Sequence, residues 1–332
     1  MGFLLSFSDK FQMALALWPL VSFALTVPIL ALLYRRDGRL RLWSAVSAYL
    51  IVLYALGLAC FTLYPLPSGS EGPGITYGIP PQLDPFGFIG DIAKDGMRAV
   101  LQDVFNVVFF VPLGFFCSRA FRRGLLATLA IGFLISLLIE TAQLTGCFWM
   151  YPHAYRTFDV NDLMWNTAGA GIGWACALLA AKVVPPGVDE VPETTSSPGF
   201  LRRCVALALD VVLMQTVVFV VGAIALLVYL QVDPDVGANV EALALVAGAL
   251  AFMVLVFLVV EWAVPWARGG RTPGGGFVRM TVETRKRQGA RRFLFYLLRT
   301  VCLMCAWVFF PLVPLVLLVF FAVKRCMPYD LL

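Results

Sequence analysis

The chain has 332 residues, of which 61% are hydrophobic and 14% charged; its mean hydropathy is +0.86 and its formal net charge +5. Soluble domains carry about 25% charged residues and cannot hide this much apolar surface. The composition therefore excludes a soluble globular protein and predicts an all-α, polytopic transmembrane protein. The surplus of Lys and Arg lies between apolar runs, where it sets topology and gives no sign of nucleic acid as a partner.

Runs long enough to span a bilayer, about 20 residues each, fall near 11–33, 42–63, 100–118, 124–144, 163–184, 203–230, 240–266 and 293–323. The first is followed by charges instead of a small-residue cleavage site, so it reads as a retained helix. Residues 65–81, rich in Gly and Pro, read as an irregular external loop. Residues 185–199 have the Pro, Ser, Thr and acidic content of a linker. The expected division is a five-helix module over 1–184, the linker, and a three-helix module over 200–332.

Basic residues fix an expected orientation. Arg35, Arg36, Arg39 and Arg41 follow the first run, and Arg119, Arg122 and Arg123 follow the third. Lys182, Arg202 and Arg203 flank the linker, and eight basic residues from Arg268 to Arg292 follow the seventh run. Alternating helices put all four loops on one side, which is then cytoplasmic, with the N-terminus outside. The last run carries Pro311 and Pro314. An unbroken helix leaves Lys324 and Arg325 outside; a break at the prolines returns the C-terminus inside.

Cysteines offer little chemistry. The eight thiols fall mostly in or beside apolar runs, where they act as small hydrophobes. Cys302 and Cys305 have CxxC spacing but no second pair or histidine nearby, and His153 is the single histidine. No metal site or cofactor is expected.

Polar residues inside the runs carry the functional argument. Glu140 lies four-fifths of the way along 125–144, and a carboxylate inside a spanning helix costs roughly 2.5–3.5 kcal/mol on insertion scales. Gln143 lies one turn on. A short loop then delivers Arg156, Asp159, Asp162 and Asn166 to the mouth of the fifth run, while Asn106 sits in the outer third of the third. Asp162 and Asn166 are four apart and share a helix face. These residues predict a hydrogen-bonded ion network near the outer leaflet, with Arg156 answering Glu140 or the aspartates. The alternative is that they pin helices three, four and five together and bind nothing. Trp149, Tyr151 and Tyr155 read as an interfacial aromatic belt, and His153 as a loop residue.

The strings DVFNVVFFVPLGF, SLLIETAQL and RTFDVNDLMWNTAGAGIG resemble the VanZ-like membrane family, whose pattern runs N-x-x-x-F-x-P-x-G, E-x-x-Q, then R-x-x-D-x-x-D-x-x-x-N-x-x-G. The matching positions are Asn106, Phe110, Pro112 and Gly114; Glu140 and Gln143; Arg156, Asp159, Asp162, Asn166 and Gly169. LDPF at 83–86 resembles the family's N-L-x-P-F element, with Asp84 in place of Asn. The resemblance implies a bacterial plasma-membrane protein of the cell envelope, a link to teicoplanin resistance, and no established catalytic activity.

A second cluster opens the C-terminal module. Arg203, Ala206 and Asp210 form R-x-x-A-x-x-x-D, and Glu261 and Arg299 are expected at similar depth, with an Asp210–Arg299 pair anticipated. With GGRTPGGGFVRM at 269–280 and Asp330 near the end, this resembles the RDD family, whose usual Lys is here Gly275. The Gly-rich turn lacks the Lys-Ser/Thr ending and preceding strand of a phosphate loop. The basic loop points to anionic lipid headgroups, or to a solvated topogenic loop.

The favoured function is engagement of a lipid-linked or amphiphilic molecule at the outer leaflet, with a lipid-linked cell-wall precursor or a glycopeptide as candidate partners besides membrane lipids. Transport of an ion or small molecule through the intramembrane carboxylates, and a scaffold or regulator, are the alternatives. An intramembrane enzyme is least favoured, since no nucleophile–base pair is present.

Overall fold

The computed structural model describes residues 2–64, 80–151, 154, 156–183, 193–232 and 240–332. Among these, eight helices are long and apolar enough to cross a membrane, and no strand occurs beyond two isolated bridges. The chain is an all-α, multi-pass membrane protein. Its residues form two compact units, one of 1–24 with 46–189 and another of 25–45 with 190–332.

Helix α1 (Gly2–Asp37) contributes its first part to the first unit and its remainder to the second. The first unit continues with α2 (Leu42–Leu63), the short α3 (Gly87–Asp95), α4 (Met97–Arg119), α5 (Leu125–Leu144), the single turn α6 (Gly146–Trp149) and α7 (Val160–Val183). Apolar attraction cannot drive helices together in lipid, so close packing depends on small residues. Helices α4 and α7 meet through Gly114, Gly169 and Gly173. A Cβ on any of these would overlap a backbone carbonyl of the facing helix, at Ala170, Val107 and Val111 respectively. Gly132 of α5 closes on the Cβ of Ala170, where a further carbon would stand 2.7 Å away. Helix α2 joins this bundle through the Tyr54 hydroxyl, which donates to the Phe109 carbonyl at 2.8 Å, and through stacking of Phe61 on Phe109 at 5.0 Å. Trp18 of α1 donates to the Tyr49 carbonyl of α2 at 3.0 Å.

The second unit holds α8 (Phe200–Val232), α9 (Val240–Leu258), a π-turn (Val259–Ala263), α10 (Val264–Ala267), α11 (Pro273–Phe277), α12 (Gly289–Val308) and α13 (Leu312–Lys324). Its core gathers Ala31 and Tyr34 with Val205, Val278, Phe295 and Tyr329. Arg202 donates to the Gly38 carbonyl and stacks over Tyr34 at 4.5 Å.

The final apolar run is divided in the structure. Instead of one helix over 293–323, the chain turns at Phe309–Pro311 between α12 and α13. Pro311 has no N–H to continue the ladder, and its ring crowds the preceding turn. Leu312–Leu331 is among the eight segments long and apolar enough to cross a membrane. After α13 the chain returns: Tyr329 packs edge-on against Phe295 at 5.7 Å, and Asp330 pairs with Arg203 at 2.8 Å. Within this unit residues 328–331 therefore lie beside the starts of α8 and α12.

Candidate functional site

The first polar cluster is built around the start of α7. Asp162 lies in its first turn, and the Asn106 amide of α4 donates to its carboxylate at 2.6 Å. One turn later, Asn166 donates to the Ser136 hydroxyl of α5 at 2.9 Å. The Glu140 carboxylate accepts the Asp159 backbone N–H at 3.1 Å, fixing the segment that enters α7. Gln143 donates to the Thr62 carbonyl at the end of α2, 2.8 Å away. Each bond joins two elements, so the cluster locks α2, α4, α5 and α7 in register. It is almost dry: Glu140 is 2% exposed, Gln143 1%, and Asp162 and Asn166 5% each.

A second strand of contacts holds the entrance. Gln82 exchanges backbone hydrogen bonds with Phe158 and Val160, at 2.8 and 3.0 Å, forming a parallel bridge opposite Asp159. The Asp159 carboxylate accepts from its neighbour Asn161 N–H at 2.8 Å, a local side-chain turn that starts the helix. Asn161 in turn donates to the Asp84 carbonyl at 3.3 Å. The Asp84 side chain accepts the Phe86 N–H at 3.0 Å, so the Asp standing where the resemblance expects Asn serves as the turn former before α3.

Arg156 differs from the rest. It is exposed, yet it lines the same small cavity as Asn106, Glu140, Gln143, Asp162 and Asn166. The expected ion pair with Glu140 or an aspartate is not made among the described residues: Glu140 is occupied by a backbone amide and Asp162 by Asn106. The cavity measures about 20 Å³, space for a single water. The buried Gln143 Oε1 has no hydrogen-bond partner among the described residues, and a water needs just such groups.

All seven residues expected here are therefore brought to one region, Asp159 by its backbone. The sequence reading missed Thr62, Gln82, Ser136 and Asn161. Ser136 had a usable signal, since it stands one turn before Glu140 on the same face; backbone acceptors such as Thr62 have none. His153 and Tyr155 lie outside the described residues, while Trp149 is 75% exposed.

The second cluster divides in two. Arg203 pairs with Asp330 at 2.8 Å, and Arg287 donates to the Asp330 carbonyl at 3.1 Å. Two turns along α8, Asp210 accepts the Gly274 N–H at 2.6 Å and a hydrogen bond from Thr272. Thr272 also caps α11 by accepting from the Gly275 N–H at 2.9 Å. Gly274 is required there, because a Cβ would overlap the Ala206 carbonyl. The small residue and the carboxylate of R-x-x-A-x-x-x-D thus form a seat for the Gly-rich turn. The anticipated Asp210–Arg299 pair is replaced: Arg299 binds Glu261, with Nη2 2.6 Å from Oε2 and Nη1 donating to the Glu261 carbonyl at 2.7 Å. The π-turn carries Glu261, and its extra residue per turn opens that carbonyl to an outside donor. Next to it, burial and a 2.7 Å hydrogen bond to Glu283 push the Tyr296 phenol well above its ordinary range.

These features define a polytopic helical membrane protein with a buried polar cluster in each of two units. Residues 50–181 match the VanZ/LLP1 family model and residues 197–332 match that of the RDD family, so the chain joins a VanZ-like module to an RDD domain. Neither a curated protein nor a solved structure matches it.

Proposed function

We propose that the VanZ-like module engages the anionic, polar end of an amphiphilic or lipid-linked molecule at Arg156. The membrane is then the bacterial plasma membrane, with this end of the bundle outward and the N-terminus external. One observation carries the proposal: Arg156 is exposed beside a buried carboxylate cluster and makes no ion pair with it among the described residues. A guanidinium offers a planar fork suited to carboxylate or phosphate. Beneath it, Glu140, Asp162, Asn106, Gln143 and Asn166 act as the rigid base that positions the arginine segment. The family resemblance extends this to glycopeptide susceptibility, teicoplanin in particular.

Arg156→Ala should change the teicoplanin inhibitory concentration several-fold in a strain that depends on this protein, with membrane abundance unchanged. Equal susceptibility of the two strains at matched abundance would overturn the proposal. Glu140→Gln is the companion variant, at the carboxyl group that accepts the Asp159 N–H.

A transport role is favoured by a different observation, the one-water cavity between Glu140 and Asp162. In proteoliposomes, proton uptake abolished by Glu140→Gln yet retained in Arg156→Ala would replace the binding role with an ion path.

A further inference from the structure

We propose that the RDD unit carries a phosphate-binding site formed by Arg35, Arg268 and Arg271. The three line an open depression of about 550 Å³, completed by the surfaces of Thr272 and Phe277. Its volume lies within the usual range for small-molecule sites. The site is separate from the Arg156 region and does not depend on it.

The case rests on the shared depression and on a contrast with five other arginines of this unit. Arg203 is spent on Asp330, Arg292 on Glu283 and Arg299 on Glu261. Arg202 is committed to the Gly38 carbonyl, and Arg287 to that of Asp330. Among the described residues, the side chains of Arg35, Arg268 and Arg271 make no hydrogen bond or ion pair. Arg35 instead lies over the Phe277 ring at 4.5 Å, which limits its freedom while leaving the guanidinium edge open. Three like charges around one concavity repel each other, and a multiply charged anion relieves that repulsion.

The neighbouring sequence strengthens the point. In the run from Gly270 to Gly275, Gly270 takes φ +83° and hydrogen-bonds Pro265. Thr272 caps α11, and Gly274 seats on Ala206 and Asp210. Pro273 opens α11 and Gly275 donates to Thr272, whereas the Arg271 side chain is exposed and serves neither turn nor cap. Depth also fits. Arg35 lies in the last turn of α1, and Arg268 directly follows the spanning segment Val246–Ala267. Both stand where a membrane helix meets headgroups. Arginine binds phosphate oxygens in bidentate fashion, so the ligand is a phosphate group, either of an anionic lipid or free in solution.

The test is calorimetric titration of the full chain in maltoside detergent with dioctanoyl phosphatidic acid in one arm and sodium phosphate in the other. Dioctanoyl phosphatidylcholine is the control, because its phosphate is shielded by choline. Binding of phosphatidic acid alone identifies a lipid headgroup; comparable binding of both identifies free phosphate as sufficient. In either case, Arg268→Ala with Arg271→Ala should weaken binding at least about tenfold, as loss of two charge-assisted contacts implies. Arg285→Ala with Lys286→Ala, exposed charges of the same loop outside the depression, should leave binding within about twofold. Absence of binding in both arms, retention in the first double variant, or equal loss in the second would overturn the proposal.

Discussion

Truncating Arg299 to alanine should lower the stability of the RDD unit by about 3–5 kcal/mol, the usual consequence of breaking a buried ion pair from one side. Glu261 is fully buried, and its carboxylate and its own carbonyl both take their charged hydrogen bonds from this one guanidinium. Alanine leaves a carboxylate and an open π-turn carbonyl in a dry site with nothing to replace either. For a unit of this size that corresponds to a fall in melting temperature of about 10 °C, readable by heating the purified protein in detergent. Replacing both partners together, Glu261→Leu with Arg299→Met, should recover most of the loss, since an apolar pair carries no desolvation cost. A single variant that melts within a degree of the parent would mean that the charge is satisfied by some other route.

The second large effect is expected from one methyl group. Gly173→Ala puts a Cβ into the Val111 carbonyl oxygen of α4, which cannot rotate aside as a side chain can. Helices α4 and α7 would have to separate, and the Asn106–Asp162 bond joins those same helices at 2.6 Å. The cost should reach about 3 kcal/mol or more, and the polar cluster should loosen with it. Gly171→Ala is the matched control. Two residues away, the new carbon meets only the Leu129 methyl at 3.2 Å, and alanine gains about 1 kcal/mol of helix propensity over glycine. Folded yield and melting temperature should therefore collapse for position 173 and hold for 171. Similar behaviour of the two variants would show that the helices do not approach so closely.

The contrast between these two glycines indicates what a sequence conveys. Span number and most boundaries follow from the length of apolar runs, because lipid demands about 20 residues whatever the fold. Asp162 and Asn166 were legible as one helix face, and both point into the cluster. Non-local partners were not legible. Nothing in the pattern around Gln82 announces a bridge to the strand-like residues before α7, since two residues of extended chain produce no periodicity. Depth along straight helices pairs Arg299 with Asp210, whereas its partner is Glu261. The π-turn at Val259–Ala263 and the docking of Gly274 on Asp210 reassigned both groups. Both depend on backbone that leaves the regular α-helix, where spacing rules have no force. The break before α13 was readable as a possibility, since Pro311 signals interruption but not its direction.

The paired hydrogen bonds of Gln82 with Phe158 and Val160 have a practical use in establishing sidedness. They tether the chain beyond position 79 to the threshold of α7, while the Tyr64 N–H closes α2 on the Cys60 carbonyl at 3.1 Å. An epitope or protease recognition sequence spliced into positions 65–79 leaves both moorings in place. It also shares a compartment with Arg156, because the few residues from there to Gln82 are too short a stretch to cross a bilayer and Gln82 bridges to Asp159. Labelling intact cells at that insertion would therefore report which aqueous phase the arginine samples.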